Sequence, residues 1–326
     1  MTLFANGKLL LTAEYAVLDG ATALALPTKF GQSLDIKPSE STDLNWTSYD
    51  ADGKIWFSAI FDFDTFKRKT ASDDGVATML ENIFAAALHL KYDNTVAKNR
   101  GFTPPQYLTP FHAETRLTFP RNWGLGTSST LIANIARVFK VNPYALLAAT
   151  FGGSGYDIAC ATADAPILFQ NENATISVEN AAFSPIFKQN LYFIYLEKKQ
   201  NSREGIERYK TRKIAQNTQN TDLSREYREG GYLKEISDLT TAFLTASDLK
   251  TFDKLIVQHE NLVASLIELP RAKGVYFTDF WGQIKSLGAW GGDFVLATSD
   301  RNVLETKAYF TSKGFETVLT YDEIIK

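Results

Sequence analysis

The sequence predicts an α+β protein of two domains, and three observations carry that prediction. The chain has 326 residues, long for one core and comfortable for two domains of ordinary size. Roughly the first 65 residues read as strands and are followed by segments with helical spacing, whereas the last sixty or so alternate helix and strand. Runs of strands followed by runs of helices argue for α+β ordering over a regular doubly wound sheet.

In order along the chain, "KLLLTAEYAVL" from Lys8 and "TALALPT" from Thr22 read as strands flanking the turn signal Asp19-Gly20. "DLNWTSYD" and "KIWFSAIFD" read as strands flanking Ala51-Asp52-Gly53. From Asp74 the period changes, and Met79, Ile83, Ala86, Ala87 and Leu90 recur at helical intervals. Pro104, Pro105 and Pro110 mark an irregular connection before "ETRLTF", a strand running into Pro120. Leu131, Ile132, Ile135, Val138 and Phe139 form one apolar face of a helix of about three turns. Asn142-Pro143 starts another helix, with proline at a tolerated N-terminal position, and "GGSGYD" interrupts it at 152–157. "NLYFIYLEKK" reads as a strand, and residues 202–263 as mostly helical and polar on one side. "DFVLAT", "NVLETKAYFTSKG" and "ETVLTY" then read as strand, helix and strand, the helix ending at Gly314. Composition shifts near Ser184-Pro185, which divides the chain into domains 1–185 and 186–326.

Composition limits the functions available. Hydrophobic content of 44% and charged content of 22% are those of a soluble globular protein. A formal net charge of −3 without a Lys/Arg block argues against a nucleic-acid surface and leaves room for a local basic pocket for a small anion. Cys160, the single cysteine, has no internal partner, which fits a reducing compartment. "LLLTA" is too short for the apolar part of a leader, and no run approaches the roughly 20 apolar residues of a membrane span. The expectation is a cytoplasmic protein with no membrane partner. His89, His112 and His259 are scattered, so a dense His/Cys metal site is not expected.

Four stretches carry the candidate chemistry. In "RNWGLGTSSTL", Gly124, Gly126, Thr127, Ser128, Ser129 and Thr130 lie between a strand and a helix. Free N–H groups and hydroxyls at a helix N-terminus attract anions, and glycine lets a phosphate approach the backbone. A helix capped after a tight turn is the simpler reading, but it needs neither so many hydroxyls nor two glycines flanking Leu125. The stretch lacks the Gly-Lys-Ser/Thr ending of a Walker A loop. Lys8, before the apolar run "LLL", cannot easily sit in a core unpaired, and the simpler reading is that it snorkels at a strand end. Asp157 in "GGSGYDIACA" either caps a helix or accepts a proton from a substrate hydroxyl. "SLGAWGGDFVLAT" places Gly288, Gly291 and Gly292 before a strand.

In order and spacing these stretches resemble the GHMP kinase superfamily, and within it the mevalonate and phosphomevalonate kinase branch. "PRNWGLGTSST" matches the family pattern P-x-x-x-G-L-G-S-S-A-A, with Thr127 for the first serine and Ser129 and Thr130 for the alanines. "GKLLLTAEYAVLDG" is similar to the family's first motif, and "GSGYDIACA" to the "GSGFDVAAA" segment of phosphomevalonate kinases. "LGAWGGDFVLA" resembles the third motif, with Trp290 and Asp293 where the family has glycines.

The resemblance implies two α+β domains with the active site between them, and ATP and Mg²⁺ as cosubstrate and cofactor. It implies that Gly124, Leu125, Gly126, Thr127, Ser128 and Ser129 cradle the ATP phosphates, with Ser128 near magnesium. Asp157 and Lys8 become the catalytic pair, and Glu14, Ser154, Gly288, Gly291 and Gly292 fall on the acceptor side. A phosphorylated acceptor needs further cations, for which Arg203 is the first choice, with Arg116 and Arg121 behind it. One departure matters. Mevalonate kinases have a magnesium-binding Glu eleven positions before the Asp, where this chain has Leu146, and 144–156 holds no acid. That leans towards phosphomevalonate as acceptor, with mevalonate next. Alternatives are a sugar kinase of the same superfamily, a diphosphomevalonate decarboxylase (disfavoured by Lys8 and "SGYD"), and a non-catalytic member that binds ATP or a metabolite. A monomer and a homodimer are both compatible with the sequence.

Overall fold

The computed structural model describes residues 1–92, 104–105, 107–197, 204–211, 231–288, 290 and 292–326. The chain divides into two compact units. The first comprises Met1–Gly7, Phe30–Arg121 and Leu125–Thr162, and the second Lys8–Lys29, Asn122–Gly124 and Ala163–Lys326.

In the first unit, strands β2 (Ala23–Pro38, from Phe30 onward), β3 (Asp43–Tyr49), β4 (Ile55–Asp62), β5 (Arg68–Ala71) and β6 (Phe111–Leu117) form a sheet in the order β5-β4-β3-β6-β2. Neighbours are antiparallel except β3 and β6, which run parallel with Trp46 opposite Ala113. Among the described residues, four α-helices belong to this unit: α1 (Asp74–Lys91), α2 (Thr127–Phe139), α3 (Pro143–Thr150) and α4 (Tyr156–Thr162). Asp73 caps α1 by accepting the Val76 N–H at 2.9 Å, and Asn142 caps α3 through the N–H groups of Tyr144 and Ala145.

The buried face of α1 is Ala77, Leu80, Ile83, Phe84, Ala87 and Leu88, rotated from the expected one. Leu90 is exposed and Met79 only half-buried, because Phe84 takes the centre. Its ring packs edge-on against Trp46 and Phe61 and tilted against Phe66, with centroids 5.8, 5.6 and 5.1 Å apart. Each such fully buried side chain contributes about 1.5–3 kcal/mol. In α2 the expected apolar face is buried, and so are Ser129, Thr130, Ala133, Asn134 and Ala136, so this helix is enclosed nearly all round.

In the second unit, the start of β2 pairs with β7 (Ile167–Glu172), Ala23 opposite Phe169, and β7 pairs with β8 (Thr175–Asn180). A separate antiparallel sheet has the order β10-β11-β9-β12, from β9 (Leu191–Tyr195), β10 (Ile284–Ser286), β11 (Phe294–Thr298) and β12 (Val318–Thr320). Helices α5 (Gly231–Thr245) and α6 (Leu249–Ile267) follow the helical residues 204–211, and α7 (Ala272–Tyr276) and α8 (Val303–Ser312) complete the main helices. One core joins Tyr192, Ile194, Phe277, Phe280, Val295 and Phe310. No described helix is long and apolar enough to cross a membrane.

The N-terminal strand differs from expectation. β1 spans Thr2–Leu10, so Lys8 lies within it, and "TAEYAVL" is not extended. Ala13 and Tyr15 have positive φ (66° and 63°), and a 3-10 turn occupies Ala16–Asp19. The β7–β8 hairpin was not expected. Its turn residues Asn173 and Ala174 take φ of 50° and 64° without a glycine to announce them.

Candidate active site

Gly126 precedes α2 with φ 100°, a left-handed backbone that disfavours any side chain, and no side chain caps the helix. The hydroxyls that follow divide into two sets. Ser129 donates to the Gly126 carbonyl at 2.9 Å, and Thr130 donates to the same oxygen and to Gln32 Oε1 at 2.9 Å. Asn134 Nδ2 donates to the Gln32 carbonyl at 3.0 Å. These buried groups fix the first turn of α2 to β2. Ser128 is exposed and Thr127 half-buried, so they are the hydroxyls that can meet a ligand. Leu125 is wholly buried beneath the turn. The surplus of hydroxyls thus serves two ends, half binding the turn and half facing outward.

Beside that turn lies a cavity lined by Trp46, Trp56, Val76, Met79, Thr127 and Ser128, among others. Polar groups in its wall are mostly satisfied within it: Trp46 Nε1 donates to Ser48 Oγ at 3.0 Å and Thr115 to the same oxygen at 2.8 Å. Trp56 Nε1 is buried without a hydrogen-bond partner. Arg121, 4.4 Å above the Trp56 ring, also pairs with Asp50 at 2.9 Å. Arg116 is similarly engaged, over Tyr49 and with Glu114 at 2.8 Å. Of the wall residues, Thr127 and Ser128 were expected from the sequence, whereas Trp46 and Trp56 were not, because aromatic residues in strands read as core.

Asp157 is the second residue of α4, half-buried, and accepts the Ile158 N–H at 3.0 Å. The first i to i−4 bond of that helix runs from Ala159 N to the Gly155 carbonyl, so Gly155 and not Asp157 stands at the helix start. Ser154 is buried at 9% exposure. Leu146 is fully enclosed in the core of the first unit and contributes to α3 packing. An ionised acid there would lose its water without gaining a cation from that core.

In the second unit, the segment Asn122–Gly124 is held from several sides. Tyr195 Oη donates to the Asn122 carbonyl at 3.0 Å, and the Trp123 ring packs edge-on against Phe294 and tilted against Tyr195. Lys8 Nζ donates to the Gly124 carbonyl at 2.9 Å. Gly124 has φ 68°, and a Cβ there would overlap the Asp293 carboxylate. Gly288 and Gly292 lie in this unit, whereas Gly291 and Arg203 fall outside the described residues.

Glu14 is entirely buried, at the centre of a charged cluster. Lys285 Nζ lies 2.5 Å from Glu14 Oε1 and 3.8 Å from Glu260 Oε1. His259 Nε2 accepts the Ala13 N–H at 3.0 Å, and Glu260 accepts the N–H and hydroxyl of Ser286. Burial raises the Glu14 carboxyl above its ordinary range against the opposing pull of Lys285. Burial also pushes Glu260 up to about 8 and holds His259 well below its usual value. Near neutrality a protonated Glu260 and a neutral His259 therefore lie beside the Glu14–Lys285 contact. The strained backbone of Ala13 and Tyr15 is held by these groups and by the Trp290 N–H, which donates to Tyr15 Oη at 3.1 Å. Glu14 thus anchors the first motif from within, and its carboxylate has no exposed surface to offer an acceptor.

The fold is that of the GHMP kinases. Among solved structures, the chain is similar to the Streptococcus pneumoniae phosphomevalonate kinase in complex with phosphomevalonate and AMPPNP, at 18% identity and TM-score 0.67, covering 98% of this chain and 99% of that one. It is also similar to the Methanococcus jannaschii mevalonate kinase (15% identity, TM-score 0.65, 98% and 96% covered). The Lactococcus lactis galactokinase complexed with galactose follows at 13% identity and TM-score 0.64, with 98% and 92% covered. No family model and no curated protein matches the sequence.

Proposed function

We propose that the chain is an ATP-dependent kinase that transfers the γ-phosphoryl group to a small acceptor, with phosphomevalonate the preferred one. The observation that carries this reading is the uncapped N-terminus of α2 beneath Gly126, with outward hydroxyls and a tryptophan-walled cavity alongside. The helix end suits phosphates, and the cavity suits a flat heteroaromatic base with an acceptor atom for the Trp56 N–H. The similarity to a phosphomevalonate kinase crystallised with phosphomevalonate and AMPPNP supports the choice of acceptor.

In this reading an acceptor oxygen attacks the γ-phosphorus, the bond to the β-phosphate oxygen breaks, and ADP leaves. Such transfer is mostly positioning and charge stabilisation. The α2 amides and Thr127 hold the phosphates, and Lys8 offsets charge on the transferring group. Asp157 orients the acceptor and takes its proton where the acceptor carries one. Magnesium, when bound with ATP, supplies charge neutralisation between the phosphates. The Ser128 hydroxyl is a hard oxygen ligand of the kind magnesium accepts alongside phosphates and water. Among the described residues no cluster of three or more His, Cys, Asp or Glu side chains could hold a metal ion.

The test is ADP release by purified protein with ATP and Mg²⁺ against phosphomevalonate, mevalonate and galactose. Turnover is expected with phosphomevalonate first. Turnover with mevalonate alone would move the protein to the neighbouring branch, and no turnover with any acceptor would leave an ATP-binding protein without kinase activity.

A further inference from the structure

The third glycine-rich stretch carries Asp293 where a glycine would fit its backbone without strain. Asp293 has φ 53°, in the left-handed region, and is 9% exposed. Residues other than glycine persist in that region only when their surroundings hold them there, and such positions cluster at functional sites. Asp293 directs its carboxylate against the Cα of Gly124, filling the space a side chain would need. Its own carbonyl accepts the Leu196 N–H at 2.7 Å, which anchors it beside the end of β9. From β9, Tyr195 reaches the Asn122 carbonyl, and Phe294, next to Asp293, packs on Trp123. Burial raises the Tyr195 hydroxyl above its usual pKa, and the Asp293 and Glu197 charges add to this, so the phenol stays a donor throughout the working range.

We propose that Tyr195 and Asp293 are positioning residues for the nucleotide loop. They lock Asn122–Gly124 from two sides, the phenol by a hydrogen bond and the aspartate by its volume. The backbone of Asn122–Gly124 is thereby set before ATP arrives. This rests on the ATP-binding reading above and extends it to residues outside the loop. Pre-organisation of this kind improves affinity by removing the ordering cost from the binding step. The role of Asp293 is steric, so an isosteric neutral residue should serve.

The experiment is calorimetric titration of MgADP into wild type, Tyr195→Phe, Asp293→Gly and Asp293→Asn, with melting curves for each. Tyr195→Phe should weaken MgADP about fivefold through one lost hydrogen bond. Asp293→Gly should weaken it by about tenfold or more while Tm stays within about 3 °C, because relief of the left-handed strain offsets the lost packing. Asp293→Asn should bind as wild type does. Wild-type affinity in both Tyr195→Phe and Asp293→Gly would overturn the proposal, and so would a loss in Asp293→Asn equal to that in Asp293→Gly. A wild type that binds no MgADP would instead overturn the kinase reading itself.

Discussion

Leu146 and Asp157 stand eleven positions apart, and the core decides what each can be. Leu146 is enclosed by the apolar residues of the first unit, so its truncation creates a cavity. Leu146→Ala should cost about 2–5 kcal/mol of stability and leave the magnesium dependence of ADP binding unchanged. A changed magnesium dependence with unchanged Tm would place metal chemistry at this position after all. Asp157 is half-buried and does not start its helix, so Asp157→Asn should leave Tm nearly unchanged. With an alcohol acceptor it should lower kcat by about 10²–10⁴. A phosphate acceptor has its second pKa near about 6 and is mostly dianionic at neutral pH. The loss with phosphomevalonate should therefore be smaller near pH 8 and grow as pH falls below about 6. A pH-independent ratio of variant to wild-type kcat would remove proton acceptance from the role of Asp157.

Helix α2 was the most legible element, since both its apolar period and its glycine-hydroxyl start are written locally. What could not be read was which hydroxyls turn inward, because that depends on Gln32, ninety-eight positions before Thr130. The split predicts opposite phenotypes two residues apart. Thr130→Ala leaves Gln32 Oε1 buried without its donor and should destabilise by about 1–3 kcal/mol, with modest effect on MgADP affinity. Ser128→Ala should leave Tm unchanged and weaken MgADP. Equal effects of both substitutions on affinity would dissolve the division of labour. Elements fixed by partners far along the chain were the ones misjudged. "TAEYAVL" carries a strand-like apolar run, yet the chain leaves β1 at Leu10 because Glu14 must meet Lys285, 271 residues later. The β7–β8 hairpin was missed for a local reason, a turn of Asn173-Ala174 in place of Asn-Gly.

Across the whole molecule, the α+β class was legible, and the buried cluster beneath the first motif was not. His259, Glu260 and Lys285 each look ordinary in sequence and Glu14 reads as an acceptor-side residue, and only the tertiary fold removes all four from water. Titration of Glu260, Glu14 and His259 gives the protein a pH dependence with a defined sign. Glu260 is held near 8 against an ordinary value of 4.5, so between these limits the folded state keeps a proton that the unfolded chain has released. Stability is then fully present below about 4.5 and falls as pH rises towards 8, by about 1.4 kcal/mol per pH unit. Glu14, shifted in the same direction by burial, adds to the fall. His259 acts oppositely, since its depressed pKa makes the unfolded chain the proton binder below 6.5, and stability is lost as pH drops through that range. The two effects oppose each other in mild acid, and the carboxyls act alone above neutrality. Glu260→Gln keeps the shape and can still accept the Ser286 N–H, but it cannot ionise. Its Tm should therefore fall less than that of wild type between pH 6.5 and 8, and the two curves should cross or converge in acid. Parallel Tm curves for wild type and Glu260→Gln over pH 5–9 would show that Glu260 ionises as freely in the fold as outside it.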